Sequence, residues 1–319
     1  MNKRSIFPLL LGTTLIAACQ PITGPDPLPV NPPDNLDLSW QELFDDFAYQ
    51  NAQDSRLQAN GWSISARNCC PGAGGFRANL VSFAQQDGRS IMRLDLESSG
   101  SRATSNQSEI ITSQQKFFAG TYAARVRFSD QPLVGTRLPG DFPVQTFYSI
   151  TPYYGDMHPD YSELDFEYLP NGGWGTPSGQ PKMWLSSWDT YQADPWVQSN
   201  KSDALTSSFD DWKLLLIQVE PASQPDQQPW VRYYIDGQLV ANHTGVYFPV
   251  TPMFLSFNHW WISTNESTDY RLWRQEVDWV YYADDQLLST VEVMQRVEGL
   301  RRAGIEFRDT VPAKPLPSH

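Results

Sequence analysis

The sequence SELDFEY, residues 162–168, alternates acidic and apolar side chains without interruption. Successive side chains of a β-strand point to opposite faces, so this pattern predicts a strand with two unlike faces. The apolar side chains would enter a core, while Glu163, Asp165 and Glu167 would share the other face. Adjacent carboxylates repel one another, and Asp and Glu are disfavoured in strands. The stretch therefore indicates either a functional site or a solvated acidic edge strand.

The spacing of the two glutamates suits one particular chemistry. At about 3.3 Å per residue, the Cα atoms of Glu163 and Glu167 are about 13 Å apart, and side chains that lean together bring the carboxyl groups to about 5–6 Å. Retaining glycosidases have about this separation: one carboxylate attacks the anomeric carbon and the other protonates the leaving oxygen. Asp165 would hydrogen-bond the nucleophile and help to raise the pKa of the acid. A calcium site is the alternative, although no Gly-punctuated acidic loop surrounds these residues.

Five stretches together resemble glycoside hydrolase family 16, which includes laminarinases, lichenases, agarases and carrageenases. They occur in the family's order, and the resemblance extends from about Trp40 to Tyr282. The stretches are the E-x-D-x-E strand Glu163–Glu167, the strand Phe118–Val126, the hairpin Tyr233–Gly237, the N-x-W strand Asn258–Trp260 and the closing strand Val277–Tyr281. The resemblance implies a retaining endo-glycosidase with Glu163 as nucleophile, Asp165 as its assistant and Glu167 as general acid/base.

The resemblance also implies a set of substrate-binding residues. Asn258 and Trp260 match cleft positions of the family, and Tyr161 stands where many members have a tryptophan. Trp184 and Trp188 share one face of the next strand, either as stacking platforms or as core. A glycine-flanked loop carries Trp174, which suits the rim of a cleft.

Four further positions have expected roles, and one of them, Arg125, is a candidate for the substrate-binding set. Arg125 matches the family's strand arginine and is expected either to reach the site or to form a surface ion pair. The family's sugar-binding glutamate is replaced by Ala123, which disfavours a strict lichenase. Asp278 matches a position that binds a structural calcium in some members. His259 alternates away from its neighbours Asn258 and Trp260, so we expect a buried core histidine.

The first residues have the features of an export signal. Lys3 and Arg4 precede an apolar run that is too short to span a membrane, and the run ends in IAAC, residues 16–19. This ending is similar to a bacterial lipobox and implies lipid attachment at Cys19 after removal of residues 1–18. Residues 19–37 are rich in proline and predict a tether. The other two cysteines, Cys69 and Cys70, form either a vicinal disulfide or two free thiols.

Composition and short apolar runs indicate the ligand class and the fold class of the remaining chain. The 319 residues include 12 Trp, and the net charge is −13, which disfavours nucleic acid and sulfated polysaccharides as ligands. Short strands separated by Pro and Gly predict an all-β fold, and the resemblance implies a two-sheet antiparallel jelly-roll sandwich, concanavalin-like, with a concave cleft. We expect this domain to span residues 38–290, followed by a short C-terminal helix and a frayed tail over 291–319.

These observations leave several functions open. The first is endo-hydrolysis of a neutral β-linked glucan or galactan with retention, without a required cofactor. Transglycosylation uses the same intermediate. A non-catalytic glycan-binding lipoprotein on the same sandwich is the alternative from another class. We expect an exported monomer that is lipid-anchored to a bacterial membrane, either the outer membrane or the cell surface.

Overall fold

The computed structural model describes residues 36–68, 71–175, 178–224 and 226–316. The export signal, the lipid site at Cys19, nearly all of the tether and the Cys69–Cys70 pair lie outside these residues and stay predictions. Within the described ranges, no helix is long and apolar enough to cross a membrane.

The described chain contains seventeen strands and two α-helices. Most elements are short and follow one another closely, as the density of turn residues predicts. The helices are α1 (Ser55–Ala59) and α2 (Thr290–Arg302). The strands are β1 (Glu42–Asp45), β2 (Trp62–Ile64), β3 (Gly75–Phe76), β4 (Val81–Gln86), β5 (Arg89–Ser98), β6 (Ser105–Thr112), β7 (Gly120–Arg127), β8 (Phe142–Ile150), β9 (Glu163–Leu169), β10 (Lys182–Gln192), β11 (Val197–Thr206), β12 (Trp212–Glu220), β13 (Trp230–Ile235), β14 (Gln238–Thr244), β15 (Phe254–Ser263), β16 (Arg271–Asp284) and β17 (Phe307–Asp309).

Two packed sheets form the domain, which confirms the predicted all-β sandwich. Sheet B has the order β11-β10-β9-β8-β15-β6-β2, and all of its pairings are antiparallel. Sheet A runs β14-β13-β12-β7-β16, after which β16 pairs with β5 along its first half and with β1 along its second half. The strand with the three carboxylates, β9, therefore lies inside sheet B with a partner on each side.

The core fills the space between the sheets, and β9 contributes its three apolar side chains to it. Leu164, Phe166 and Tyr168 are fully buried. The ring of Phe166 stacks on Phe147 and meets the edge of Tyr233 from the other sheet. Burial of each such side chain stabilises the fold by roughly 1.5–3 kcal/mol. This packing fixes the face of β9 on which the acidic side chains emerge.

A buried polar chain joins the two sheets beneath β10. The hydroxyl of Ser187 lies 2.8 Å from His243 Nδ1 and 2.8 Å from the Tyr233 hydroxyl, which also donates to the Ser186 carbonyl. His243 Nε2 lies 3.1 Å from Asp203 on β11. Buried polar groups that all find partners specify one arrangement, so this chain fixes the position of β10 beside β9.

The C-terminal segment is part of the sandwich, which corrects the domain boundary placed at residue 290. The predicted helix is confirmed as α2, with Ser289 and Glu292 forming a capping box. Its apolar face packs on the outer side of sheet A, and β17 pairs with β1. Lys314 forms an ion pair with Asp284, so the chain is held well past the helix. The tail was expected to fray because its charged and proline residues have no apolar pattern.

A buried carboxylate joins the two ends of the chain. Glu42 on β1 is fully buried and accepts hydrogen bonds from Arg296 on α2, Arg308 on β17 and the Tyr281 hydroxyl. Removing one partner of such a pair leaves a buried charge with incomplete compensation.

We expect Arg296→Met to lower the free energy of unfolding by about 3 kcal/mol, because Glu42 would stay buried with less positive charge around it. Chemical denaturation of the soluble domain measures this loss. The double variant Glu42→Gln/Arg296→Met should recover part of it. Equal stability of the single variant and the wild type would show that α2 is not held by this ion pair.

Candidate active site

The three carboxylates of β9 emerge on the outer face of sheet B and line one pocket. Neighbouring strands contribute the remaining walls, since Trp188 pairs with Glu163 in the register of β10 and Tyr148 pairs with Asp165 in that of β8. Pairing on both sides limits how far β9 can shift, so the carboxylates stay together. The lining residues are Ser65, Arg67, Pro71, Glu109, Ile111, Thr146, Tyr148, Ile150, Glu163, Asp165, Glu167, Asn258 and Trp260.

Two aromatic side chains hold the carboxylates by hydrogen bonds. The Tyr161 hydroxyl donates to Glu163 Oε2 at 2.5 Å, and Trp188 Nε1 donates to Asp165 Oδ2 at 3.0 Å. Donors of this kind favour the ionised form of a carboxyl group. The Tyr161 hydroxyl therefore favours the ionised form of Glu163.

Burial raises the pKa values of all three carboxyl groups. Burial raises the pKa of Glu163 to about 7, while the hydrogen bond from Tyr161 acts in the opposite direction. Burial and the charges of Glu163 and Glu167 raise the pKa of Asp165 well above its ordinary value. Burial, followed by the charge of Glu163, does the same for Glu167. Three buried carboxyl groups that repel one another do not all ionise together near neutral pH, and the hydrogen bond from Tyr161 favours ionisation of Glu163.

Three tryptophans form an aromatic wall at the Glu167 end. Trp184 pairs with Glu167 in the strand register, and its ring lies 6.3 Å from that of Trp174, which in turn lies 6.3 Å from that of Trp260. The indole of Trp184 donates to the Gly172 carbonyl, which anchors the loop before Trp174. Trp184 and Trp188 are thus on the pocket side of sheet B and outside the core between the sheets.

Asn258 belongs to a polar network on the opposite wall. Its amide accepts from Thr146 Oγ1 at 2.6 Å and donates to the Tyr148 hydroxyl at 3.1 Å. That hydroxyl donates to Glu109, which is also paired with Arg67 at 2.6 Å. These contacts fix the polar groups that a ligand in the pocket would meet.

Four residues of this network were absent from the sequence prediction, namely Arg67, Glu109, Thr146 and Tyr148. Glu109 lies on β6, whose sequence SNQSEIIT buries polar side chains and has no apolar alternation. The first half of β6 pairs in sheet A and the second half in sheet B. The two isoleucines that follow Glu109, Ile110 and Ile111, were the only local indication of a strand.

Arg125 and Asp278 lie away from the pocket and pair with each other, so the prediction that Arg125 reaches the site is wrong, and its alternative, an ion pair, is what the structure shows. They lie on β7 and β16 of sheet A, where Asp278 Oδ2 is 2.8 Å from Arg125 and 2.9 Å from Arg89, and Oδ1 is 2.7 Å from Arg301. Burial alone would raise the pKa of Asp278, but Arg301 and the other guanidinium groups lower it. A carboxylate enclosed by three arginines cannot serve as a calcium ligand, because the cations occupy its lone pairs and would repel Ca²⁺. Among the described residues, no group of three or more His, Cys, Asp and Glu side chains is arranged to hold a metal ion.

Two other positions also lie away from the pocket. Ala123 packs between sheet A and α2, so a glutamate at this position would not face the pocket. The substitution therefore has no bearing on the substrate. His259 is buried as predicted, and its Nδ1 lies 3.1 Å from the Leu94 carbonyl. Burial lowers its pKa to about 3.

Solved structures with the same architecture are glycoside hydrolases. A family 16 endo-glucanase from Bacteroides ovatus, in complex with G4G3G-2F-DNP, aligns with a TM-score of 0.54 and 14% identity over 74% of this chain and 98% of that one. The chain has the fold of glycoside hydrolase family 16. A Bacillus licheniformis beta-glucanase aligns with a TM-score of 0.52 and 19% identity over 77% of this chain and 99% of that one. Porphyranase B from Zobellia galactanivorans aligns with a TM-score of 0.50 and 12% identity over 75% of this chain and 89% of that one.

Sequence comparison adds no relative, since neither a family model nor a curated protein matches this chain. The shared property at 12–19% identity is thus the fold. Fold does not determine function, so activity has to be argued from the pocket itself.

The raised pKa values predict a stability that falls as pH rises. Between the ordinary glutamate pKa of about 4.3 and the folded value of about 7 for Glu163, unfolding releases protons, so higher pH favours the unfolded state. Glu167→Gln removes one of these groups. We expect it to raise the unfolding free energy at pH 8, where the folded protein holds a proton that the unfolded chain has lost, with little change at pH 4.

Thermal unfolding at the two pH values measures this difference, with Glu266→Gln as the matched change at an exposed glutamate. A gain of equal size at both pH values would contradict the assigned ionisation of the site.

Proposed function

We propose that this protein is a retaining endo-glycoside hydrolase that cleaves a neutral β-linked polysaccharide, a glucan or a galactan. The observation that carries the proposal is the placement of the carboxyl groups: Glu163, Asp165 and Glu167 line one pocket on one strand. The Tyr161 hydroxyl donates to Glu163, which favours its ionised form, while burial and the charge of Glu163 raise the pKa of Glu167. A retaining glycosidase needs one ionised and one protonated carboxyl group at neutral pH.

Each side chain has a defined part in the proposed double displacement. The Glu163 carboxylate attacks the anomeric carbon and forms a covalent glycosyl ester, while Glu167 gives its proton to the departing glycosidic oxygen. Glu167 then takes a proton from a water molecule, whose oxygen displaces Glu163 and restores the original configuration. Asp165 lies between the two glutamates on the same face of the strand and is oriented by the hydrogen bond from Trp188. Transglycosylation follows the same steps when a sugar hydroxyl replaces the water.

The pocket supports a neutral substrate. Its carboxyl groups outnumber its one guanidinium group, and that group is paired with Glu109. A sulfated sugar would meet repulsion there, whereas the Trp174, Trp184 and Trp260 rings offer apolar faces to sugar rings. The similar structures support the glucan and galactan classes, since one is an endo-glucanase and another a porphyranase.

Incubation of the pure domain with laminarin, lichenan, agarose and porphyran, with product size and anomer followed over time, tests the proposal. We expect internal cleavage of a neutral polysaccharide and β-configured first products. Glu163→Ala should lose turnover by several orders of magnitude, because the nucleophile is absent. Added azide should restore an α-configured product, since a small anion can occupy the space of the lost carboxylate.

Glu167→Ala provides the matched comparison. On substrates with good leaving groups its first step should be spared, because no proton is needed there. Binding of a polysaccharide without any cleavage would favour the non-catalytic glycan-binding function instead.

A further inference from the structure

A second aromatic cluster lies at the Glu163 end and is formed by Tyr153, Tyr191 and Trp196. The rings of Tyr153 and Tyr191 stack at 5.2 Å, and the ring of Trp196 lies 5.6 Å from that of Tyr191. Trp196 is 60% exposed and Tyr153 is 50% exposed. Large aromatic surfaces left in water are costly unless they bind something.

This cluster continues the catalytic pocket outward. Tyr161, which donates to Glu163, meets the edge of the Tyr191 ring at 5.1 Å. Trp188, which donates to Asp165, lies 6.1 Å from Trp196. An unbroken series of ring contacts therefore leads from the nucleophile to the exposed face of Trp196.

The cluster is held in place from two sides. Trp196 lies in the turn between β10 and β11, and Tyr153 lies in the loop before β9. Asp156 joins the two segments, because it accepts a hydrogen bond from the Ala193 amide at 3.0 Å and one from the Tyr153 hydroxyl. The Met157 amide donates to the Tyr191 carbonyl at 2.8 Å. Rings fixed before binding lose little conformational entropy when a ligand arrives.

The chemistry of the cluster selects one class of ligand. Exposed aromatic faces suit the apolar faces of sugar rings, and Asp156 and Gln198 at the edge offer hydrogen-bond acceptors to hydroxyl groups. Asp156 and Asp194 place negative charge beside the rings, which repels anionic groups.

We propose that Tyr153, Tyr191 and Trp196 form a distal subsite for a neutral sugar of the substrate chain, beyond the sugar that reacts. The inference rests on the proposed function, because the ligand is a further part of the same polysaccharide. Binding energy from this remote sugar holds the chain across the carboxylates and favours long substrates.

Affinity electrophoresis of the Glu163→Gln variant tests the subsite without turnover, in gels that contain laminarin, lichenan, agarose or porphyran. We expect a neutral polysaccharide to retard this variant. Addition of Trp196→Ala should weaken the affinity roughly tenfold, and Trp196→Phe should keep part of it. Tyr270→Ala is the matched control, since Tyr270 is exposed and contacts Glu97 on sheet A. Circular dichroism checks that each variant is folded.

Equal retardation with and without Trp196→Ala would overturn the subsite, as would retardation by none of the four polysaccharides. A preference for the sulfated porphyran would overturn its neutral selectivity. The wild-type cleavage assay decides the proposed hydrolysis separately, so the two proposals can fail independently.

Discussion

The burial of three carboxyl groups on one face of β9 is the constraint on which the rest of the site depends. Alternation sends Leu164, Phe166 and Tyr168 into the core, so the acidic side chains have no other face to occupy. Exclusion of water raises the pKa of each group, and repulsion by neighbouring carboxylates adds to the rise at Asp165 and Glu167. The same burial that makes the strand costly raises the pKa of Glu167, as the proposed general acid requires.

The surrounding structure offsets part of the free energy lost by burying these carboxyl groups. Tyr161 and Trp188 donate to the first two carboxyl groups, while the third has an aromatic neighbour in Trp184. Beneath the site, the buried polar chain through Ser187 and His243 ties β10 to sheet A. Active sites commonly lower the stability of a fold. Here the destabilising groups lie on one strand, which is paired with a neighbouring strand on each side.

The sequence predicted the fold and the central strand because both depend on local periodicity. The alternation of β9 and the capping residues of α2 are readable without knowledge of tertiary contacts. Glu109 and the edge strand β11 were missed because their segments are polar, and only pairing with other strands makes them strands.

Errors in the predicted site have a different origin. Arg125, Asp278 and Ala123 lie on strands that the motif pattern identifies, but motif matching alone does not say which sheet or which face a strand occupies. The sheet and the face depend on the pairing of β7 with β16, two strands that are distant in the sequence. The clustering of Trp196 with Tyr153 likewise requires two loops to meet, for which no local pattern exists.

The most direct test of the account is to trap the glycosyl-enzyme and find the residue that carries it. An oligosaccharide with a 2-fluoro substituent and a dinitrophenyl leaving group, of a type that the domain cleaves, should accumulate as a covalent adduct, because fluorine slows the second step. Peptide mass spectrometry of the labelled domain should find one sugar adduct, on Glu163. A label on Glu167, or steady release of the leaving group without any adduct, would contradict the assignment of Glu163 as the ionised nucleophile.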